Sequence, residues 1–330
     1  MKKLVCLLLA LLLVLSAALA LAETAATVEL TDQTGRTVSI EGTPERIVSG
    51  YYISTSACIA LGLTDRMVAV EAKANTRNIY TLAAPELISL PNVGTAKNFD
   101  LEACLAAEPD LVILPKRLSD AADSLAQFGV PALLVDPEDA QRLTAMITLI
   151  GEATGEGERA QALCSFIDEQ LEQVAQALEG AAPVSALMLG NSDRMTCAPG
   201  DMFQSTLLAQ AGASNPAQEF TGGDFAAISY EQLLAWNPQV IIVPPEAAYT
   251  ADDVLSDPEL AALDAVQSGS VYQMPTAFEA WDSPGPSGVL GTVWLASVLH
   301  PDLVSHELYV NAANDLYENF YGFTPDEAAL

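Results

Sequence analysis

Two stretches of this chain carry the same pattern. Residues 100–115 read DLEACLAAEPDLVILP, and residues 230–245 read YEQLLAWNPQVIIVPP. With Pro109 set over Pro238, Glu102 falls on Glu231, Leu105 on Leu234, Ala106 on Ala235, Ile113 on Ile242 and Pro115 on Pro244, all at one constant offset. Each stretch reads as a short helix, a proline that ends it, and a strand apolar throughout. A strand without polar alternation is one covered on both faces, as in a parallel sheet flanked by helices. A unit used twice, half a protein apart, constrains the fold to two similar α/β halves. Open α/β sheets bind ligands beyond the carboxyl ends of their strands, so two such halves define a shared crevice.

The rest of the chain fits this plan. VELTDQTGRTVSIEG alternates and turns at Asp32-Gln33-Thr34-Gly35, which predicts an antiparallel hairpin. ERIVSG, RMVAVEA, DLVILP and VPALLVD read as strands. STSACIALGL, stopped by Gly62, LEACLAAE and SLAQFG read as the helices between them. The stretch 140–180 differs. It predicts a helix over 141–151, a break at Thr154-Gly155-Glu156-Gly157, and a long helix from Glu158 to about Leu178. In that helix Leu163, Phe166, Ile167, Leu171, Val174 and Leu178 recur at helical spacing. A second α/β set follows, through VSALMLG, FQSTLLAQAG, VIIVP, VYQMP and C-terminal helices around VWLASVLH and NDLYENFYGF. The expected fold is therefore two Rossmann-like α/β lobes joined by a single long rigid helix. The divisions are a leader at 1–22, an N-terminal lobe at 23–152, the interlobe helix at 153–180 and a C-terminal lobe at 181–330.

The leader has Lys2 and Lys3, an apolar run from Leu4 to Leu19 and the small-x-small triplet Ala20-Leu21-Ala22, the pattern of a secretory signal peptide. Cys6 lies early in the apolar run and does not read as a lipid-attachment site. The mature protein is therefore expected outside the cytoplasm, periplasmic or associated with the cell surface. All 43 acidic residues follow the leader, and the formal net charge of the whole chain is −30. So acidic a surface repels nucleic acid and anionic lipid. Cys58, Cys104, Cys164 and Cys197 form no CxxC pair, and their wide spacing favours buried thiols over disulfides. The two histidines, His300 and His306, are helix-end residues in this reading. They are too few for a bare transition-metal site or for Ser–His–Asp chemistry. Neither a nucleophile elbow nor a phosphate loop is present, so no enzyme, metal or cofactor is expected.

At this point the residues resemble a known family. DQTGRTVSIEGTPERIVS, LGLTDRMVAVE, LPNVGTAKNFDLEACLAAEPDLVIL, APGDMFQSTLLAQAGASN, ISYEQLLAWNPQVIIV and SGSVYQMP are similar to the Fe/B12-type periplasmic binding proteins. These are the solute receptors of ABC importers for iron–siderophore, haem, cobalamin and related metal ligands. The likeness runs from about Val28 to His300. It implies the class III two-lobe fold with modest lobe movement, a monomer, and a permease dimer with its ATPase as partner. By the same resemblance Glu102 and Glu231, one on each lobe, dock onto the two-fold symmetric permease. Each opens a helix, where a carboxylate suits the positive helix end.

The ligand is read from residues. Where a B12-binding relative has a tryptophan before its Asn-Leu-Glu segment, this chain has Ala96. Where haem-binding relatives place a tyrosine after Val-Gly, it has Thr95. Positive charge is scarce, and Lys73, Arg77, Lys97, Lys116, Arg117 and Arg194 fall in loops after strands or near the expected crevice. Convergent cations in an acidic protein imply an anionic ligand, and arginine binds oxyanions and carboxylates bidentately. Tyr51, Tyr52, Ser54 and Asn191 at strand ends, with Phe278, Trp281 and Asp282 in FEAWDSPGPSG, are the other expected wall residues, Trp281 as an exposed aromatic. The reading is a metal-containing anionic ligand: first an iron chelate of siderophore type, then a molybdate or tungstate oxyanion, then cobalamin or haem.

Overall fold

The computed structural model describes residues 27–330. The signal-peptide expectation at 1–22, with Cys6, lies outside the described residues. Among these residues no helix is long and apolar enough to cross a membrane.

The chain opens with the antiparallel hairpin β1 (Thr27–Thr31) and β2 (Thr37–Glu41), paired from Thr27 with Glu41 to Thr31 with Thr37. Asp32 closes its turn, accepting from the backbone of Thr34 and Arg36. The first sheet follows, built from β3 (Ile47–Ser49), β4 (Met67–Val70), β7 (Leu111–Pro115) and β8 (Ala132–Val135). Between β4 and β7 lies the small β5 (Gly94–Thr95) and β6 (Asn98–Phe99) hairpin. All pairings in the first sheet are parallel, and the order is β4-β3-β7-β8. Every residue of β7 is buried, as its unbroken apolar run requires. The helices of this half are α1 (Tyr52–Ala60), α2 (Asn78–Ala83), α3 (Leu101–Ala106) and α4 (Ser119–Gln127).

Two helices then leave the half. α5 (Ala140–Thr154) ends where Gly155 adopts φ +78°, and α6 (Gly157–Ala177) runs from there with Leu178 as its C-cap. A side chain at Gly151 would collide with the Ala160 methyl, so this glycine lets the two helices meet at their turn. Ala160, Leu163, Ile167 and Val174 form the buried stripe of α6. Arg66 ties the first half to the start of α6 through Glu156 at 2.7 Å and the Thr154 carbonyl at 2.8 Å.

The second sheet uses β9 (Val184–Met188), β11 (Ala213–Ser214), β13 (Val240–Val243) and β14 (Val271–Gln273), again all parallel, in the order β11-β9-β13-β14. In each sheet the second strand flanks the first, the first flanks the third, and the third flanks the fourth. The duplicated sentence occupies equivalent places: α3 and β7 in the first half, α8 (Tyr230–Trp236) and β13 in the second. β10 (Thr196–Cys197) and β12 (Ala226–Ala227) make a small antiparallel pair beside the second sheet. The remaining helices are α7 (Phe203–Gln210), α9 (Ala251–Leu255), α10 (Asp264–Ser268), α11 (Gly288–Leu299) and α12 (His306–Leu316). α11 is apolar all round and buried on nearly every side, the central helix of the second half.

After α12 a π-helical turn, Tyr317–Tyr321, returns the chain to the first half and packs on α1. Arg159 at the start of α6 fastens this return. Its Nε donates to the Ala60 carbonyl at 2.6 Å and its Nη2 to the Phe320 carbonyl at 3.0 Å. The four cysteines among the described residues are free thiols, three buried and Cys164 half-buried, and burial pushes the Cys58 thiol up to about 12. His300 caps α11 with Nε2 3.2 Å from the Gly212 carbonyl and is buried rather than at the surface, while His306 begins α12.

Candidate ligand cleft between the two halves

Segments beyond the carboxyl ends of β3, β4, β13 and β14 converge on a cavity of about 390 Å³. The first half contributes Tyr52, Ser56, Lys73, Arg77 and Asn78. The second contributes Glu246 and the loop over 276–287, including Phe278, Glu279 and Ser283. Crossing hydrogen bonds join the walls: Tyr52 OH donates to Ser283 Oγ at 3.3 Å, and Asn78 Nδ2 to the Ala277 carbonyl at 3.0 Å. The entry to α1 depends on Gly50, where a Cβ would stand 2.7 Å from Leu114 Cδ2.

Arg77 is held on two sides. Its guanidinium stacks over the Tyr52 ring with Cζ 4.2 Å from the centroid, and its Nε lies 3.4 Å from Glu71 Oε1. Glu71 is buried and itself fixed, accepting from Thr55 Oγ1 at 2.6 Å and Tyr80 OH at 2.7 Å. Burial raises the pKa of Tyr52 above its ordinary value and keeps the phenol neutral. Lys73 sits in the left-handed region at φ 74°, just ahead of the turn that carries Arg77. The cavity thus has a cationic wall, Lys73 and Arg77, facing a wall that carries the carboxyl groups of Glu246 and Glu279.

Glu279 is half-buried, with Oε1 3.3 Å from Tyr317 OH and Oε2 3.4 Å from Ser56 Oγ. Burial pushes its carboxyl up to about 7 against the pull of Ser287, Tyr317, Ser56 and Arg77. Behind it the loop rests on an aromatic cluster. Phe278 packs on Tyr317 at 5.2 Å and Phe323 at 5.8 Å, and Trp281 Nε1 donates to Tyr317 OH at 2.8 Å.

Of the residues expected from sequence, the structure gathers Tyr52, Lys73, Arg77 and Phe278 at this cavity. Others lie beside it or elsewhere. Tyr51 is the buried N-cap of α1, in edge contact with Tyr52 at 5.3 Å. Ser54 is buried beneath it, within 2.8 Å of both Ser49 Oγ and the Tyr51 carbonyl oxygen, and does not reach the cavity. Trp281, expected as an exposed wall, is 1 % exposed and serves the core under the loop. Asp282 is buried, accepts from Gln204 Nε2 at 3.3 Å, and is pushed up to about 6 by burial. Thr95 and Lys97 form the exposed β5–β6 turn, where Thr95 Oγ1 accepts from the backbone of Asn98 at 3.1 Å. Lys116 pairs with Asp136 at 2.7 Å and Arg194 with Asp257 at 2.6 Å, so these cations are satisfied away from the cavity. Arg117 is exposed in the turn after β7, and Asn191 follows β9 with its Oδ1 buried. Glu71, Asn78, Glu246, Glu279 and Ser283 complete the site beyond the expected residues. Of these Glu279 carries a sequence signal, a carboxylate next to Phe278 in an aromatic loop.

Two similar parallel-sheet halves with a cleft between them form a site able to hold a small solute. The chain belongs to the periplasmic binding protein family, whose model matches residues 47–277. This is the class of substrate-binding proteins that serve ABC transporters. The chain is 26 % identical over 328 residues to the molybdate-binding protein MolA of Haemophilus influenzae, covering 91 % of this chain and 93 % of that protein. It is also 26 % identical over 284 residues to the ABC transporter substrate-binding lipoprotein YvrC of Bacillus subtilis, covering 83 % and 86 %. Its fold matches a periplasmic solute binding protein of Veillonella parvula with a TM-score of 0.82 at 23 % identity, covering 92 % and 95 %. It matches molybdate-bound MolA with a TM-score of 0.80 at 24 % identity, covering 91 % and 99 %.

Proposed function

We propose that this protein is the exported capture subunit of an ABC importer, and that it holds a small oxyanion of the molybdate or tungstate class in the cleft lined by Lys73 and Arg77. The observation that carries this reading is the cavity itself. Its cations are two, its volume lies at the low end of ligand sites, and Arg77 is pre-set by Tyr52 and Glu71 as a rigid fork for oxyanion oxygens. The relative MolA, named for molybdate, supports the same choice. An anionic iron chelate is the weaker reading, because the further cations that would embrace a large ligand, Lys116 and Arg194, are engaged by Asp136 and Asp257.

The leader at 1–22 exports the chain. The lobes at 23–152 and 181–330, with the segment 153–180 between them, hold the cleft, and Glu102 and Glu231 meet the permease dimer. Both glutamates are exposed in the first turns of α3 and α8, the equivalent helices of the two halves, and each helix is capped by a side chain, Asp100 or Ser229. The test is thermal unfolding of the mature protein with molybdate, tungstate, sulfate, phosphate, ferric catecholate and hydroxamate chelates, haem and cobalamin. Native-state binding at a hundredfold excess over Kd adds about 2.7 kcal/mol. The expected result is a rise in melting temperature with molybdate and tungstate that Arg77→Ala removes. A rise only with a ferric chelate would replace the ligand and keep the receptor role.

A further inference from the structure

The acidic wall of the cleft is unusual for an anion receptor. Glu279 lines the same cavity as Lys73 and Arg77, so an anion bound by the cations is brought against a carboxyl group. An ionised carboxylate there would repel a dianion held by the same cations. Burial outweighs the groups that favour the ionised form of Glu279, which are Ser287, Tyr317, Ser56 and Arg77. The hydrogen bonds from Tyr317 at 3.3 Å and Ser56 at 3.4 Å are long, and the Arg77 charge is shared with Glu71 at 3.4 Å. The groups facing it are Ser56 from α1, Arg77 from the turn after β4, Tyr317 and Tyr321 from the C-terminal π turn, and Ser287 ahead of α11. Glu246, after β13, lines the same cavity, and Asp282 lies in the same loop. The carboxylates among these add negative charge; Arg77 opposes it, as does Lys73 on the same cavity wall.

Building on the oxyanion reading, we infer that Glu279 takes part in binding as the neutral carboxylic acid, donating a hydrogen bond to an oxygen of the anion, so that the cleft captures a proton together with its ligand. Glu279 is then a specificity-determining residue: it converts an acceptor, which rejects fully deprotonated oxyanions, into a donor that welcomes them. The burial that raises the carboxyl to about 7 in the free protein works in the same direction, and the bound anion raises it further. The sign follows directly. Below about pH 7 the proton is already in place and binding is insensitive to pH. Above it each binding event must draw a proton from solution, and affinity falls by up to about tenfold per pH unit.

The experiment is isothermal calorimetry of the full mature chain with molybdate from about pH 6 to about pH 8.5, each pH in two buffers of different ionisation heat. The expected result is negligible proton uptake at the acid end, uptake rising towards one proton per anion at the alkaline end, and a matching loss of affinity. Glu279→Gln keeps a neutral donor. It is expected to bind molybdate with little pH dependence and no proton uptake, and to exceed the wild type at the alkaline end. Wild-type binding without proton uptake overturns the inference, and needs no variant to be seen. Uptake that survives in Glu279→Gln overturns it too, as does a folded Glu279→Gln protein, by its melting curve, that no longer binds at pH 6. Failure of both molybdate and tungstate to bind the wild type at any pH would instead remove the oxyanion reading, and this inference with it.

Discussion

Arg77 shows how a single side chain becomes a binding group. Stacking on Tyr52 and the pull of Glu71 restrict the guanidinium before any ligand arrives, so little rotamer freedom is left to lose on binding. Lysine keeps the charge but has neither the planar fork nor the stacking face. Arg77→Lys is therefore expected to weaken oxyanion binding about tenfold, the loss of one charge-assisted hydrogen bond, measured by calorimetry on protein shown to be folded by its melting curve. At this scale the sequence was half legible. Scarce cations at strand ends pointed to Arg77. Nothing in the chain separated it from Lys116 and Arg194, whose partners Asp136 and Asp257 lie far enough away in sequence to be invisible without the fold. Burial was equally hidden. Trp281 in a Pro/Gly-rich loop reads as exposed, yet its indole N–H finds Tyr317 from another element and the ring goes inside.

Elements were read more reliably than residues, because hydrophobic periodicity is local. The long helix expected over 158 to about 178 is α6 at Gly157–Ala177, and the break before it is the turn around Gly155. The helix after β3 starts at Tyr52, ahead of the stretch that began at Ser54. Tyr51, extended, supplies the N-cap, and its carbonyl accepts from Thr55 at 2.9 Å. The α5–α6 turn depends on a close approach that periodicity does not reveal. Gly151→Leu would force a side chain into Ala160 and the Glu156 carbonyl, and overpacking of this kind costs about 1–3 kcal/mol. Chemical denaturation of the free protein should show that loss as a lower midpoint with an unchanged slope.

For the whole molecule, the duplicated helix–proline–strand sentence is the feature that matters most. It falls on the third strand of each sheet and the helix before it, so the two sheets repeat one topology and present Glu102 and Glu231 from equivalent helices. Reversing both charges, Glu102→Lys with Glu231→Lys, is expected to abolish ligand uptake by cells carrying the permease. It should leave ligand binding by the purified protein unchanged, since neither glutamate lines the cleft. Uptake equal to that of the wild type would sink the docking assignment. What the chain could not disclose is which strand-end loops face each other once the halves are set together. Those after β3, β4, β13 and β14 meet, while Lys116 after β7 and Arg194 after β9 are drawn sideways into ion pairs.

The central claim is that an oxyanion sits between Arg77 of one half and the loop bearing Glu279 of the other. The direct measurement is a crystal structure of the mature protein with tungstate, locating the metal by its anomalous scattering. The account predicts one strong peak in the cleft, within hydrogen-bonding reach of Arg77 through the anion's oxygens. A peak instead beside Arg117 or Asn191, or none with tungstate in excess, would contradict it.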